Sequence, residues 1–513
     1  LIASSLAFQL HAQAQVVKHP LGPQSSYHFV GPAPPAEWSV VTGENVIWRQ
    51  PLPEGGQSGL TVVGNRMFLT VNQPLDIGTP AEQAAGSDIL GLCLDTRTGH
   101  ELWRVVIPGR KLMPHTGLFT DPSTPTPVAD ETHVWFVNAA GGMMCLDHGG
   151  QEVWRRRFYV EHLHNAKNCH PMLVDGKLLY VELLNAQKIS AADMAEMSKL
   201  DRNSGDGPWS WLHAFDAATG ENLWVAESAT SVHSAPGAGV IDGQPVVLHA
   251  RGGGHNTPEK PYGYTLTHLD SGRTIWNREV DSGYAFMNSH FDEQHAYVFD
   301  SNRLLVLNIS SGEIQRELDI SSKTDWCMFN ADDSRYEIQH DVPFATGAKA
   351  KSYPTRNSNI LVGKYVLFLA HDRPSIGRVD LESGRVEYLD VPYQVLRKTG
   401  QADQPLWQKH IPSDVRNGRG MLITADQRAF GSGWGHVTCP APVEINGQVY
   451  FTTMLGSVYV VDAHASRFDA DALKWIGDLG AAGETWTLAP VTYAAGRLYA
   501  RTLKEVVCIG ELP

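Results

Sequence analysis

The sequence predicts an all-β chain folded as an eight-bladed propeller of four-stranded antiparallel blades, with seven blades as the alternative count. Three observations carry this. One phrase recurs: an apolar strand, usually Leu-Asp, a Thr-Gly or Ser-Gly turn, and an aromatic residue four past the glycine. It stands as CLDTRTGHELW (Cys93 to Trp103), CLDHGGQEVW (Cys145 to Trp154), AFDAATGENLW (Ala214 to Trp224) and HLDSGRTIW (His268 to Trp276), with weaker copies at Leu307 to Arg316 and Val379 to Tyr388. Between the copies lie tight-turn dipeptides: Gly64-Asn65, Asp175-Gly176, Asp242-Gly243, Gly363-Lys364, Asn446-Gly447 and Gly496-Arg497. Such pairs supply the positive φ that short hairpins require. The flanking segments alternate apolar residues at period two, as in QVYFTTMLGSVYVVD (Gln448 to Asp462). A strand-rich unit repeating at this spacing packs radially against its neighbours.

Taken in order, residues 1–14 read as the remnant of a secretory signal, an apolar stretch followed by Ala12-Gln13-Ala14, which fits small-x-small cleavage. Residues 15–37 form a Pro-rich segment, and 38–513 the propeller. The blades fall at about 58–109, 121–158, 164–228, 231–280, 287–320, 353–391, 436–480 and 484–513. The last has three evident strands, and residues 42–53, with Trp48 in the fourth-strand position, are expected to supply the fourth. A ring closed in this way leaves no free sheet edge.

Composition narrows the partners. The formal charge of −14 argues against nucleic acid, which calls for a basic face. No apolar run is long enough to span a bilayer. The chain is expected to be periplasmic or secreted, bacterial and monomeric. Cys93, Cys145 and Cys508 hold equivalent places in their repeats and read as small buried hydrophobes.

The repeated Leu-Asp-x-x-Thr-Gly-x-x-x-Trp phrase resembles the PQQ-like repeat shared by quinoprotein alcohol dehydrogenases and by outer-membrane assembly proteins of the BamB type. Trp48-Arg49-Gln50-Pro51-Leu52-Pro53 is similar to the opening of secreted bacterial members. The resemblance implies that Trp48, Trp103, Trp154, Trp224 and Trp276 pack between neighbouring blades. For a dehydrogenase it also implies an adjacent cysteine pair against the quinone, which this chain lacks. Asp121, Asn168 and Asn288 lie near the mouth without matching the dehydrogenase motifs.

Antiparallel alternation places the Thr-Gly turns and the first-hairpin turns on one face. The second-to-third-strand loops and the connections between blades fall on the other. The long insertions at 72–88, 184–209, 250–264, 321–351 and 392–435 belong to that second face, where binding residues usually concentrate. A short helix is expected near Ser190. On this rim the ligand-binding candidates are His164, Arg251, His255, Asn288, Arg356, Trp434, His436 and Trp486. Arginines there suit a carboxylate, and aromatic rings such as Trp326 suit a sugar face. Imidazoles from separate blades suit a divalent metal or acid–base work, with His164, His233, His290 and His371 as candidates.

The leading reading is a binding or scaffold module for a glycan, a peptide or other protein, or a small anionic ligand. The alternative is an enzyme on acidic polysaccharide, lyase-like, using His233, His290, His371, Tyr353 and Arg373 as base and charge stabiliser. The third is a PQQ-dependent dehydrogenase, which the missing cysteine pair disfavours. The sequence leaves the cofactor open: the missing cysteine pair disfavours PQQ, and the histidines suit a divalent metal.

Overall fold

Each copy of the phrase builds the outer hairpin of one sheet. The Asp95 carboxylate accepts from the backbone N–H of Arg97 and Thr98 and so folds its turn. Asp216 does the same for Ala218 and Thr219, as does the Asn308 amide oxygen for Ser310 and Ser311. A short side-chain acceptor that mimics the backbone is why Asp and Asn recur at this step.

The computed structural model describes residues 27–74, 85–115, 121–158, 170–182, 211–230, 235–251, 262–280, 288–344, 355, 359–371, 373–417, 420, 422–424 and 440–511. The signal remnant, the expected helix near Ser190, and His164, His233, His255, Tyr353, Arg356, Trp434 and His436 lie outside the described residues. Eight four-stranded antiparallel blades follow one another along the chain. Blade 1 is Thr61–Val63, Arg66–Asn72, Ile89–Asp95 and Glu101–Ile107. Blade 2 runs from Val128–Ala129 to Glu152–Arg157, blade 3 from Met172–Val174 to Asn222–Ala229, and blade 4 from Gly237–Ile241 to Thr274–Glu279. Blade 5 runs from His290–Phe291 to Ile314–Asp319, blade 6 from Asn359–Val362 to Val386–Asp390, and blade 7 from Val443–Ile445 to Leu473–Asp478. Blade 8 is Thr492–Ala494, Arg497–Arg501 and Glu505–Ile509. Its fourth strand is Val46–Pro51, antiparallel to Glu505–Ile509 with Trp48 opposite Cys508. The first strand of the ring thus closes the last blade.

The repeated tryptophans join neighbours. The indole N–H of Trp48 donates to the Thr96 carbonyl, Trp103 to His148, Trp154 to Ala217, Trp224 to Leu269 and Trp276 to Ile309, each at the start of the next blade's turn. At the weaker copies a guanidinium makes the bridge: Arg316, in the ring's place, donates to the Leu381 carbonyl, and Arg378, just ahead of the last copy, to Ala463. Tyr388, the aromatic of the last weak copy, instead turns back to the Ile320 carbonyl of blade 5. Cys93, Cys145 and Cys508 are wholly buried free thiols in third strands. Burial pushes them up to about 12, 12 and 11.

Two elements depart from the sequence reading. Residues 321–351, read as a loop, contain the hairpin Thr324–Asn330 and Arg335–Val342. It extends blade 6 outward, with Thr324–Asn330 parallel to the outermost strand Val386–Asp390. Within the Pro-rich segment, His28–Phe29 pairs in parallel with Val443–Ile445, the innermost strand of blade 7. The chain therefore runs along the axis, with Tyr27 beside His290 and Gly31 reaching the Asn446 turn on the opposite face. Among the described residues, no helix is long and apolar enough to cross a membrane.

Candidate functional site

In every blade the second strand runs toward the face that carries the second-to-third-strand connections. Seven of these strands end on a polar residue: Asn72, Asn138, Glu182, Arg251, Asp300, Thr452 and Arg501; only blade 6 ends on an apolar one, Leu369. Arg251 is half-buried and the other six are buried. Such groups need partners, and several bind across blades. Asn138 donates to the Ser87 and Ile107 carbonyls of blade 1, and Glu182 accepts from Arg156 of blade 2. The sequence reading missed this ring. The signal was present as a polar residue closing each apolar run, as in RMFLTVN (Arg66–Asn72) and RLYAR (Arg497–Arg501).

The described candidates lie on this same face at different radii. Asn288 and His290 come together at the entry to blade 5. The Nε2 of His290 donates to the Asn359 carbonyl at 2.9 Å, and the Asn288 amide donates to the same oxygen at 3.2 Å. These contacts tie blade 5 to blade 6, while the Tyr27 ring stands edge-on to His290 at 6.0 Å. Burial holds His290 down to about 4, so its imidazole is neutral in the fold.

His371 and Arg373 share the connection between the second and third strands of blade 6. The Arg373 guanidinium lies 4.2 Å over the Trp326 ring and 3.9 Å from the Asp390 carboxylate. Asp390 also accepts from the Trp326 indole and the Ser375 hydroxyl. Arg373 is thus fixed at the outer strand of its blade, apart from His290 on the inner strand of blade 5. Trp326 is 3% exposed and Trp486 is wholly enclosed, so neither turns a free ring face outward. Trp486 is covered because the connection through Ser413 and Asp414 bonds to Thr485 and Gly483 above it. Arg251 ends its strand on blade 4, where its charge adds to the burial that holds His249 down to about 3.

Neutral buried imidazoles make stability depend on pH. The unfolded chain takes up a proton near the ordinary histidine value of about 6.5, whereas folded His290 resists until about 4. Stability is therefore full above pH 6.5 and falls as the pH drops toward 4. His290 alone contributes roughly 3 kcal/mol to that loss. Urea titrations at a series of pH values should show the decline, and His290→Gln should flatten it. An unchanged slope in that variant would contradict the buried neutral ring.

The residues present do not fit a quinone held by adjacent cysteines, because Cys93, Cys145, Cys327 and Cys508 are buried one to a strand. Among the described residues, no three His, Cys, Asp or Glu side chains gather as a metal site.

Residues 87–212 and 210–387 match the protein family described as outer membrane protein assembly factor BamB. No curated protein matches the chain in sequence. Among solved structures, a europium-containing methanol dehydrogenase is similar at 12% identity and TM-score 0.51, covering 95% of this chain and 89% of that one. The quinohemoprotein alcohol dehydrogenase from Comamonas testosteroni is similar at 10% identity and TM-score 0.50, covering 97% and 80%. BamB from Moraxella catarrhalis aligns at 12% identity and TM-score 0.36, covering 75% and 93%. At these identities the likeness to solved structures is one of fold.

Proposed function

This chain belongs to the family of the outer membrane protein assembly factor BamB, and on that premise we propose that it is an exported binding and scaffold module working in the bacterial envelope. The observation that carries the reading is the ring of polar second-strand ends on the face that also bears the long connections. A closed ring holds these ends rigidly, because seven of its eight junctions are bonded from one blade to the next blade's turn through a tryptophan or arginine donor. Buried polar ends that bond across blades fix the positions of the connections they carry, which favours recognition, since little ordering is left to be done on binding. The ligand is read as a glycan or an extended peptide of the envelope. Of the groups an acidic-polysaccharide lyase would use, the Nε2 proton of His290 is committed to Asn359, and Arg373 is stacked on Trp326. Both commitments favour recognition over proton abstraction.

Hydrogen–deuterium exchange of the full chain with a panel of envelope glycans and peptides tests this. Protection should be confined to the connection-bearing face, at 370–375, 453–457 and 502–505. Protection at the turns 96–99, 217–220 and 309–312 on the opposite face would overturn it. So would no protection by any member of the panel.

A further inference from the structure

Each blade has its four strands without the segment Tyr27–Gly31, yet His28–Phe29 lies in parallel along the innermost strand of blade 7. Among the described residues it is the one strand added on the axial side of a blade. Much of its hold is backbone. The Glu444 N–H donates to the Tyr27 carbonyl at 2.8 Å, and the Asn446 N–H to the Phe29 carbonyl at 3.3 Å. The Asn446 side-chain amide extends the ladder, donating to the Gly31 carbonyl at 2.9 Å and accepting from the Gly31 N–H at 3.3 Å. Such bonds do not read the side chains of the added strand.

Alternate side chains carry the selectivity. Tyr27 and Phe29 are each 3% exposed. Tyr27 meets His290, and Phe29 enters the core between blades 7 and 8, its ring centre 5.7 Å from that of Tyr493. Between them, half-buried His28 brings its Nδ1 to 2.8 Å from the Glu444 carboxylate. A Cβ at Gly31 would run into the Tyr493 hydroxyl, which itself donates to the Pro32 carbonyl, so glycine is required at that crossing. Backbone pairing with pockets at alternate positions is how a free sheet edge takes up an extended peptide. Two features weaken the chain's own segment on this edge. Tyr27 has a φ of +66°, a left-handed conformation that strains a residue other than glycine. Val30 is 79% exposed and adds almost nothing to the buried area.

We propose that the axial edge of blade 7 is a strand-addition site for an extended peptide of the pattern aromatic-x-aromatic-x-Gly, which the chain's own Tyr27–Gly31 fills until such a peptide displaces it. The proposal rests on the binding reading above and names its peptide ligand. A tethered segment competes at an effective concentration on the order of millimolar, so a free peptide gains access as that segment is weakened.

Fluorescence anisotropy of a labelled peptide with the sequence of residues 25–33 tests this on the full chain and on the double variant Tyr27→Ser, Phe29→Ser. The double variant should bind roughly tenfold more tightly than the wild type, because its own segment no longer fills the two pockets. On that variant, the peptide carrying Gly31→Ala, or serine at both aromatic positions, should bind roughly tenfold more weakly. Hydrogen exchange gives a second readout: the Glu444 and Asn446 amides should open in the variant and close again when the peptide is added. Equal binding by wild type and variant, indifference to the peptide's aromatics, or no binding would overturn the strand site. Protection of the connection-bearing face by the envelope panel would then leave the binding module standing. Peptide uptake only as a dimer of the chain dissociates, seen by light scattering, would assign the edge to a second copy and overturn the proposal. If the double variant fails to fold, a photo-crosslinker in place of Phe29 in the peptide decides on the wild type. Cross-links at 443–445 or 491–493 support the site, and their absence overturns it.

Discussion

Replacing Gly312 by alanine is expected to destabilise the fold by about 2–5 kcal/mol, while the same change at Gly64 costs about 1 kcal/mol. Both glycines have positive φ, +69° and +58°. In that region a Cβ crowds the following carbonyl, so both variants carry this strain. They differ in what the new methyl meets. At Gly64 there is nothing within 4 Å, whereas at Gly312 a Cβ would lie 2.6 Å from the Trp276 indole. That ring cannot yield easily, because its N–H is bonded to the Ile309 carbonyl at the start of the same turn. The glycine of the repeat therefore makes the turn and leaves room for the preceding blade's tryptophan. Urea unfolding of the two variants measures the difference. Trp276→Ala on the Gly312→Ala background should cost less than the two separate losses added together, since the clash disappears. Equal losses at Gly312 and Gly64 would show that the ring does not press on the turn.

The second large effect is expected at the junction of blades 6 and 7. Glu387→Leu should cost about 3–5 kcal/mol, because it leaves the Arg378 guanidinium buried without its counter-charge. Arg378 is 2% exposed. It donates through Nε and Nη2 to one Glu387 oxygen at 2.8 and 2.6 Å. Its Nη1 reaches the Ala463 and Ala465 carbonyls of blade 7 at 3.1 and 2.7 Å. Tyr365 and Phe468 lie against the guanidinium, each ring centre 4.6 Å away. Removing both charges, as Arg378→Met with Glu387→Leu, should cost less than Glu387→Leu alone, since only the two carbonyls then lose a donor. Thermal unfolding of both variants checks the order. A single-variant loss below about 1 kcal/mol would mean that water reaches the guanidinium and replaces the pair.

Repetition made most of the architecture legible. Where Trp103, Trp154, Trp224 and Trp276 recur with a glycine four residues before them, local turn chemistry and inter-blade packing demand the same residues, so pattern and fold agree. The agreement weakens at blades 5 and 6. Arg316 and Arg378 take the bridging role there; Arg316 keeps the place four past its glycine with a different residue type, whereas Arg378 bridges from the third strand, ahead of the phrase. The candidate site was less legible for a related reason. His290 begins an inner strand and Asn288 lies just ahead of it, which makes both legible as candidates, yet their partner is a backbone carbonyl, Asn359, 69 residues or more away. Arg501 and Asp121 carry no local pattern, since what sets them apart is burial deep enough for each charge to act on the other.

Taken alone, the sequence pointed to eight blades, with seven as the alternative, and to closure of the ring by residues 42–53, where the structure has Val46–Pro51, because turn residues and period-two alternation act within a few residues of chain. Only the tertiary structure decided that His28–Phe29 lies along the axis on blade 7, that the hairpin Thr324–Asn330 and Arg335–Val342 widens blade 6, and that the buried charges of Arg501 and Asp121 act on one another. Those arrangements depend on which unpaired edges and enclosed charges are neighbours in space, a relation that chain order does not record.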